Sequence, residues 1–157
     1  MFQNNGDLTF SDVTKTSGTE VLGIGSGVGN ADLDDDGFLD LFLTNRTFYN
    51  SDKQITESDR NYLLRNKGNG NNWIKIELTG TKSNTNAYGA RVKVMAGESI
   101  QYREHTSAHG YNSANDYRLH FGLANEESID SIEIIWPSGE RQLLTDVAVN
   151  QTLSIEE

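Results

Sequence analysis

Alternation of apolar and polar residues along the second half of the chain predicts a series of β-strands. Residues 73–78 read Trp-Ile-Lys-Ile-Glu-Leu, so three aliphatic residues share one face while Lys75 and Glu77 lie on the other. A period of two over four to seven residues, bounded by Gly, Asn and Ser, is typical of half-buried strands. The same pattern recurs at residues 90–95, 117–121, 132–136 and 152–155.

The segments between these strands carry turn residues rather than helix formers. The chain contains 16 Asn and 15 Gly, which adopt positive φ at low cost, and its one proline, Pro137, follows a predicted strand. No segment keeps a period of 3.6 residues for three turns, and the best helical candidate is the short stretch 57–64. We therefore predict an all-β fold.

The most specific pattern in the chain is an acidic segment, residues 32–40, here called the aspartate loop, which reads Asp-Leu-Asp-Asp-Asp-Gly-Phe-Leu-Asp. Carboxylates at positions 1, 3, 5 and 9 repel one another unless a cation neutralises them, and Gly37 at position 6 permits a sharp bend. Hard oxygen ligands without His or Cys favour Ca²⁺ over zinc or copper, whereas Mg²⁺ retains its waters. The loop is predicted to bind Ca²⁺ through side-chain oxygens of Asp32, Asp34, Asp36 and Asp40 and the carbonyl of Phe38.

The aspartate loop does not belong to an EF-hand. An EF-hand has Glu at position 12, but that position is Leu43, and Leu41–Leu43 is predicted to be a buried strand. Residues 23–29 before the loop are rich in glycine, which argues against a preceding helix. The loop is therefore expected to join two strands, and the alternative is a solvated acidic turn without a metal.

The aspartate loop and its flanks resemble FG-GAP and VCBS repeats, the calcium-binding blades of integrin-type β-propellers. The entering strand would be residues 27–31, the leaving strand residues 40–45, and residues 2–10 are similar to the outer hairpin of a preceding blade. The resemblance implies that residues 1–66 form a partial propeller blade. Because propellers close with about 4–8 blades, the chain is expected to be a fragment of a longer protein, or a blade with covered edges.

From about residue 62 onward the chain resembles a second family, the ASPIC/UnbV domain, which follows FG-GAP repeats in exported and in enediyne-cluster proteins. The matching residues are Leu64-Arg65-Asn66 with Trp73, then residues 89–92, 119–123 and, most distinctively, Trp136-Pro137-Ser138-Gly139. The order of the two resemblances is the order found in those proteins. Residues 67–157 are accordingly expected to form a C-terminal antiparallel β-sandwich-like domain.

Charge and cysteine content narrow the classes of function. The formal net charge of −10 argues against nucleic acid or an anionic membrane as a general partner, because both attract basic surfaces. The chain has no cysteine, which excludes disulfides, thiolate metal sites and a cysteine nucleophile. No apolar run is long enough to span a membrane, and no signal peptide begins at Met1, so an export signal is expected outside this chain.

Other candidate chemistry is weaker. His105 and His109 stand four apart in a segment predicted to be strand and loop, where zinc binding is not favoured, and His120 is predicted to be a surface residue. No nucleophile elbow accompanies the serines, which argues against a hydrolytic triad. Trp73 and Trp136 end apolar runs, so core packing is preferred to sugar stacking.

These observations lead to one functional hypothesis and its alternatives. We expect a calcium-stabilised, extracytoplasmic binding or adhesion module, not an enzyme, with an unidentified protein or carbohydrate ligand and possible self-association through open blade edges. One alternative is an accessory factor or enzyme of a biosynthetic pathway, which a pocket uniting His105, His109 and Asp116 would favour. The other is a structural cap over a propeller edge.

Overall fold

The computed structural model describes residues 1–21, 23, 25–46, 60–111 and 113–157. These residues form strands and no helix, which confirms the predicted all-β class. The expected helix at 57–64 is wrong where it is described, because Tyr62–Leu64 is a strand; residues 57–59 lie outside the described residues. In chain order the strands are β1 Phe2–Asn4, β2 Phe10–Asp12, β3 Gly25–Ala31, β4 Asp40–Asn45, β5 Tyr62–Leu64, β6 Asn72–Thr79, β7 Arg91–Ala96, β8 Ser99–Glu104, β9 Leu119–Ala124, β10 Ser128–Ile135, β11 Arg141–Ala148 and β12 Gln151–Glu156.

Two sheets built from β6 to β12, together called the sandwich, enclose the main core. One has the order β11-β10-β7-β8 and the other β12-β6-β9, and one apolar cluster takes residues from both. Ile74 and Phe121 enter it from one sheet and Ile134 from the other, each with no exposed surface. Trp136 is 2% exposed in this core, as expected from the sequence, and its Nε1 donates a hydrogen bond to Gln142 Oε1 at 3.2 Å. Burial of each large apolar side chain contributes about 1.5–3 kcal/mol.

One strand pair departs from the expected antiparallel arrangement. Strand β12 runs parallel to β6, with Gln151 opposite Ile74 and Glu156 opposite Thr79. The chain passes from β11 in one sheet to β12 in the other through Val149 and Asn150, and this crossing brings β12 alongside β6 in the same direction. The other pairs in these two sheets are antiparallel.

The N-terminal part forms a smaller antiparallel sheet, β3-β4-β5, beside the separate hairpin of β1 and β2. The expectation that Leu41–Leu43 is buried is wrong, because Phe42 is 47% exposed. Leu63, opposite Phe42 in the register, is 59% exposed on the same face. The part of the chain that the structure describes therefore leaves this apolar face uncovered. The described residues contain no helix of the length and hydropathy that crossing a bilayer requires.

A segment of the C-terminal half lies against the free edge of β3. The amide of Asp116 donates to the carbonyl of Asn30 at 2.8 Å, and the amide of Asn30 donates to Asn115 Oδ1 at 3.1 Å. A Cβ placed on Gly29 would lie 2.8 Å from the carbonyl oxygen of Ala114, so only glycine permits this approach. These contacts bring the N-terminal sheet and the sandwich together next to the aspartate loop.

Candidate functional site

The aspartate loop is folded by hydrogen bonds between its own carboxylates and backbone. It connects β3 to β4, and Asp32 accepts the amide of Asp36 at Oδ1 (3.1 Å) and the amide of Gly37 at Oδ2 (2.8 Å). Asp36 Oδ1 in turn accepts the amide of Phe38 at 3.0 Å. Positive φ at Asp35 (56°) and Gly37 (92°) turns the chain back on itself. The backbone amides thereby hold two carboxylates on the inner side of the bend.

Three of the predicted ligands meet at one point. One carboxylate oxygen from each of Asp32, Asp34 and Asp36 lies within 4.8 Å of the other two. Asp32 is 2% exposed, whereas the side chains of Asp34 and Asp36 are 37% and 31% exposed. A set of carboxylate oxygens open to solvent on one side fits a hard divalent cation such as Ca²⁺.

Asp40 and Phe38 both make contacts with other parts of the chain in the structure. The carboxylate of Asp40 is 3% exposed and accepts the amide of Leu33 at Oδ2 (3.2 Å) and the amide of Asn66 at Oδ1 (2.7 Å). Asp40 is not part of the three-carboxylate cluster. The ring of Phe38 packs against Gly68, where an added Cβ would lie 2.7 Å from Cε2. Coordination by Asp40 and by the Phe38 carbonyl stays a prediction.

Lys75 enters the loop from strand β6 and is almost completely buried. Its side chain is 1% exposed, and Nζ lies 2.6 Å from Asp32 Oδ2 and 2.8 Å from Asp35 Oδ1. Burial lowers the pKa of the Lys75 ammonium, but its hydrogen bonds to the two carboxylates outweigh burial, and the net pKa is raised. The sequence placed Lys75 on the outer face of its strand; the aspartate loop covers that face.

Arg118 ties the loop to the segment that lies along β3. Its guanidinium binds both carboxylate oxygens of Asp116 (2.6–3.1 Å), Asp35 Oδ1 at 2.8 Å and the carbonyl of Asp32 at 3.2 Å. Burial raises the pKa of Asp116, but the hydrogen bonds from Arg118 lower it by more than burial raises it, so the net pKa is lowered. Hydrogen bonds from Lys75 and then Arg118 lower the pKa of Asp35. Asp35, which was not predicted to be a site residue, therefore faces the sandwich.

A third basic residue approaches from the solvent side. Arg65 Nη2 lies 2.5 Å from Asp34 Oδ2 and 3.5 Å from Asp36 Oδ2, and its side chain is 69% exposed. An exposed ion pair of this kind contributes about 0–1 kcal/mol, so a bound cation can displace the guanidinium. Arg65 and Lys75 thus neutralise the same cluster from opposite sides, but only Lys75 is held by its surroundings.

The bend at Gly37 is enclosed by two rings from the sandwich. His120 Nε2 lies 2.8 Å from the carbonyl oxygen of Gly37, as a ring N–H donor would, and Trp73 packs over the same residue. Burial lowers the pKa of the His120 imidazole, and the hydrogen bond to Gly37 partly opposes that effect. The expectation of a surface His120 is therefore wrong, because the aspartate loop covers the face of β9 on which it lies.

The residues of the proposed catalytic alternative do not share a cavity among the described residues. His105 is 4% exposed, contacts the ring of Tyr88 and lines a cavity of about 190 Å³ with Glu77. His109 instead bonds Thr106 Oγ1 at 2.8 Å, and Asp116 binds Arg118. The geometry gives no acid–base pair from these three residues.

Comparison with known proteins supports the second of the two resemblances. Residues 80–157 match the family model described as ASPIC and UnbV. Cartilage acidic protein 1 of Mus musculus and that of Homo sapiens are each 27% identical to this chain over 146 residues, covering 88% of it. The protein of the same name from Xenopus tropicalis is 26% identical over 163 residues, covering 98% of the chain. The family match begins at residue 80, so the FG-GAP resemblance stays a prediction.

The extent of these alignments matters for the aspartate loop. An alignment that covers 88% of the 157 residues includes residues 32–40 wherever it begins. The similarity to cartilage acidic protein 1 therefore extends beyond the ASPIC/UnbV match into the N-terminal part. The chain spans only 20–23% of the length of these relatives.

Proposed function

We propose that this chain is a calcium-stabilised, extracytoplasmic binding or adhesion module, and that it corresponds to the C-terminal part of a larger FG-GAP repeat protein. The observation that carries the proposal is the meeting of Asp32, Asp34 and Asp36 within 4.8 Å at positions 1, 3 and 5 of a loop between two strands. Two of these carboxylates keep contact with solvent, which leaves a path for an ion.

The charges around the loop also support a cation. The five loop carboxylates and Asp116 face three basic side chains, those of Arg65, Lys75 and Arg118, so this cluster of charged groups has a net charge of −3. A divalent ion at the solvent side of the cluster would reduce that repulsion. When bound, Ca²⁺ would supply attraction between the carboxylates, while the chain's own amides and basic residues keep the loop in shape.

The location and the domain assignment belong to the same proposal. The name of the relatives refers to cartilage and to acidity, and this chain shares the acidity, with a net charge of −10. Extracellular calcium modules bind with Kd values of about 10⁻⁴–10⁻³ M. We assign residues 1–66 to a blade of the FG-GAP type and residues 67–157 to the ASPIC/UnbV-like domain.

A groove beside the loop is a candidate place for the protein or carbohydrate ligand. It has a volume of about 680 Å³ and is lined by residues of β3 and β4, including Phe42, and by Asp35 and Arg118. An exposed aromatic ring next to charged and amide groups suits a ligand with both apolar and polar surface. The groove adjoins the aspartate loop, so a bound ion would stabilise one of its walls.

Calcium titration of thermal melts tests the proposal. At 10 mM Ca²⁺ and a Kd of 1 mM the ion stabilises the native state by about 1.4 kcal/mol, which raises Tm by about 3–6 °C for a chain of this size. Asp34→Asn is expected to abolish this shift, and the matched charge change Glu127→Gln, at an exposed carboxylate between β9 and β10, is expected to leave it intact. A wild-type Tm that does not respond to 10 mM Ca²⁺ contradicts the proposal.

A second candidate function, a structural cap, has its own supporting observation. The backbone of residues 114–116 occupies the free edge of β3 through the bonds between Asn30, Asn115 and Asp116. Covering an edge prevents pairing with another chain. Asn115→Ala is expected to accelerate amide hydrogen exchange at Asn30 and to increase dimer formation in size-exclusion chromatography. Unchanged exchange at Asn30 would contradict the cap.

A further inference from the structure

The ammonium of Lys75 lies against one oxygen of the Asp32 carboxylate, which is a predicted ligand of the proposed ion. Asp32 Oδ2 accepts both Lys75 Nζ at 2.6 Å and the amide of Gly37 at 2.8 Å, while Oδ1 accepts the amide of Asp36. Three donors from two parts of the chain fix this carboxylate. It cannot rotate away from Lys75 without leaving buried donors unpaired, which is unfavourable.

We propose that Lys75 is a resident counter-cation of the aspartate loop, which keeps the loop closed without metal and sets a low affinity for calcium. This inference rests on the proposed function, because it concerns the same site. Because Lys75 lies on β6, the sandwich would then control the calcium affinity of a site formed by residues of the N-terminal part.

The difference between Lys75 and Arg65 supports this role. Arg65 is 69% exposed and can move into solvent when an ion arrives, whereas Lys75 is 1% exposed. The centre of the Trp73 ring lies 5.1 Å from Lys75 Nζ, and Asp35 Oδ1 lies 2.8 Å from the same nitrogen, so the ammonium is enclosed. A bound divalent cation would therefore share Asp32 with a fixed positive charge.

This arrangement has two consequences of opposite sign. The ammonium neutralises Asp32 in the absence of metal, so the loop does not open by carboxylate repulsion. The same charge repels the incoming ion, because the repulsion between like charges a few ångströms apart is strong in a partly buried site. Removing the charge is expected to destabilise the metal-free protein and to increase the calcium affinity.

The experiment compares wild type, Lys75→Met and the control Lys93→Met by calorimetric Ca²⁺ titration and by thermal melts in EGTA. Lys93 lies on β7 in the opposite sheet, near the ring of Tyr102. Lys75→Met is expected to lower the metal-free Tm and to bind Ca²⁺ at least about tenfold more tightly than wild type. Lys93→Met is expected to match wild type in calcium affinity.

A double variant covers a failure of Lys75→Met to fold. Lys75→Met with Asp32→Asn removes both charges, and it is expected to fold better than Lys75→Met alone because no unpaired carboxylate remains buried. If the double variant is no more stable than the single one, Lys75 acts through packing and the proposal is overturned.

The outcomes separate this proposal from the proposed function. If wild type binds Ca²⁺ and folded Lys75→Met binds it no more tightly, the resident-cation proposal fails alone. If Lys75→Met binds Ca²⁺ and wild type does not, Lys75 excludes the ion from the native loop, and both the proposed function and the low calcium affinity proposed here are overturned. If neither protein binds Ca²⁺, both are overturned.

Discussion

The indole of Trp73 lies where a side chain at position 37 would begin. A Cβ placed on Gly37 would be 1.9 Å from both Cε2 and Nε1 of Trp73, far inside any van der Waals contact. Gly37 also has a φ of +92°, which L-residues with a side chain rarely adopt. The bend of the aspartate loop is therefore fitted to the first residues of the sandwich.

Gly37→Ala is expected to lower the free energy of unfolding by about 2 kcal/mol or more, because a strained backbone and a clash with an aromatic ring add together. The loop would have to move off Trp73, which also disturbs the carboxylate cluster. Denaturant unfolding in EGTA measures the first effect, and calcium titration of the variant measures the second.

Gly122→Ala is the matched control. Gly122 lies in β9, has no positive φ and has open space where its Cβ would lie. The same substitution there is expected to change the unfolding free energy by less than about 1 kcal/mol. Equal losses at the two positions would show that neither the φ nor the indole matters at Gly37.

Strand alternation predicted most of the sandwich because its core face is a plain period-two signal. Ile74, Ile76 and Phe121 were predicted to point inward and each has no exposed surface. The alternation over residues 117–121 also predicts that Tyr117 points inward like Phe121, and this prediction is wrong, because Tyr117 precedes β9 and is 57% exposed. Strand β8 was missed because its sequence, Ser-Ile-Gln-Tyr-Arg-Glu, has few apolar residues and lies at the sheet edge.

The acidic half of the site was evident from the sequence, and the basic half was not. Carboxylates close together in sequence stay close in space, so Asp32, Asp34 and Asp36 could be assigned from spacing. Lys75 lies 43 residues from its partner Asp32 and Arg118 lies 83 residues from its partner Asp35, and alternation placed Lys75 on a solvent face. Whether the second face of a strand is buried depends on which other part of the chain packs against it. The alternation along the strand carries no information about that partner.

Asp40 provides a test that separates folding from ion binding. Its carboxylate accepts the amides of Leu33 and Asn66, so Asp40→Ala leaves two donors without an acceptor and is expected to lower stability by about 2 kcal/mol in EGTA. Asp40→Asn keeps one acceptor oxygen and is expected to lose less.

Asp34→Asn is the comparison for Asp40. Asp34 is part of the carboxylate cluster, and its ion pair in the structure is with exposed Arg65, so its removal in EGTA relieves repulsion and is expected not to lower Tm. Chemical denaturation with and without calcium measures both variants. A metal-free Asp40→Ala as stable as wild type would remove the structural role of this carboxylate.

Arg118 is expected to be sensitive even to lysine. The planar guanidinium binds Asp116 through two oxygens while it also contacts Asp35 and the carbonyl of Asp32, and an ammonium cannot reach all of them. Arg118→Lys is expected to destabilise the protein by about 1–3 kcal/mol. Arg141→Lys, at an exposed pair with Glu133, is expected to change stability by less than about 0.5 kcal/mol. If urea denaturation shows losses of the same size for Arg118→Lys and Arg141→Lys, the role of Arg118 in joining Asp116 to the aspartate loop is contradicted.

Glu157 is expected to remain ionised in strongly acidic solution. Burial raises its pKa, but hydrogen bonds from Ser138, from Ser83 and from the backbone amides of residues 81–83 outweigh burial and lower the pKa to about 2, from 4.5. A lowered folded-state pKa means that the stabilisation is complete above pH 4.5 and is lost as the pH falls through about 2. The stability difference between wild type and Glu157→Gln should therefore be constant above pH 4.5 and shrink as the pH falls from 4.5 towards about 2. Carbon-13 NMR titration of the carboxyl group checks the pKa directly, and a midpoint near 4.5 would show that these amides do not hold the charged form.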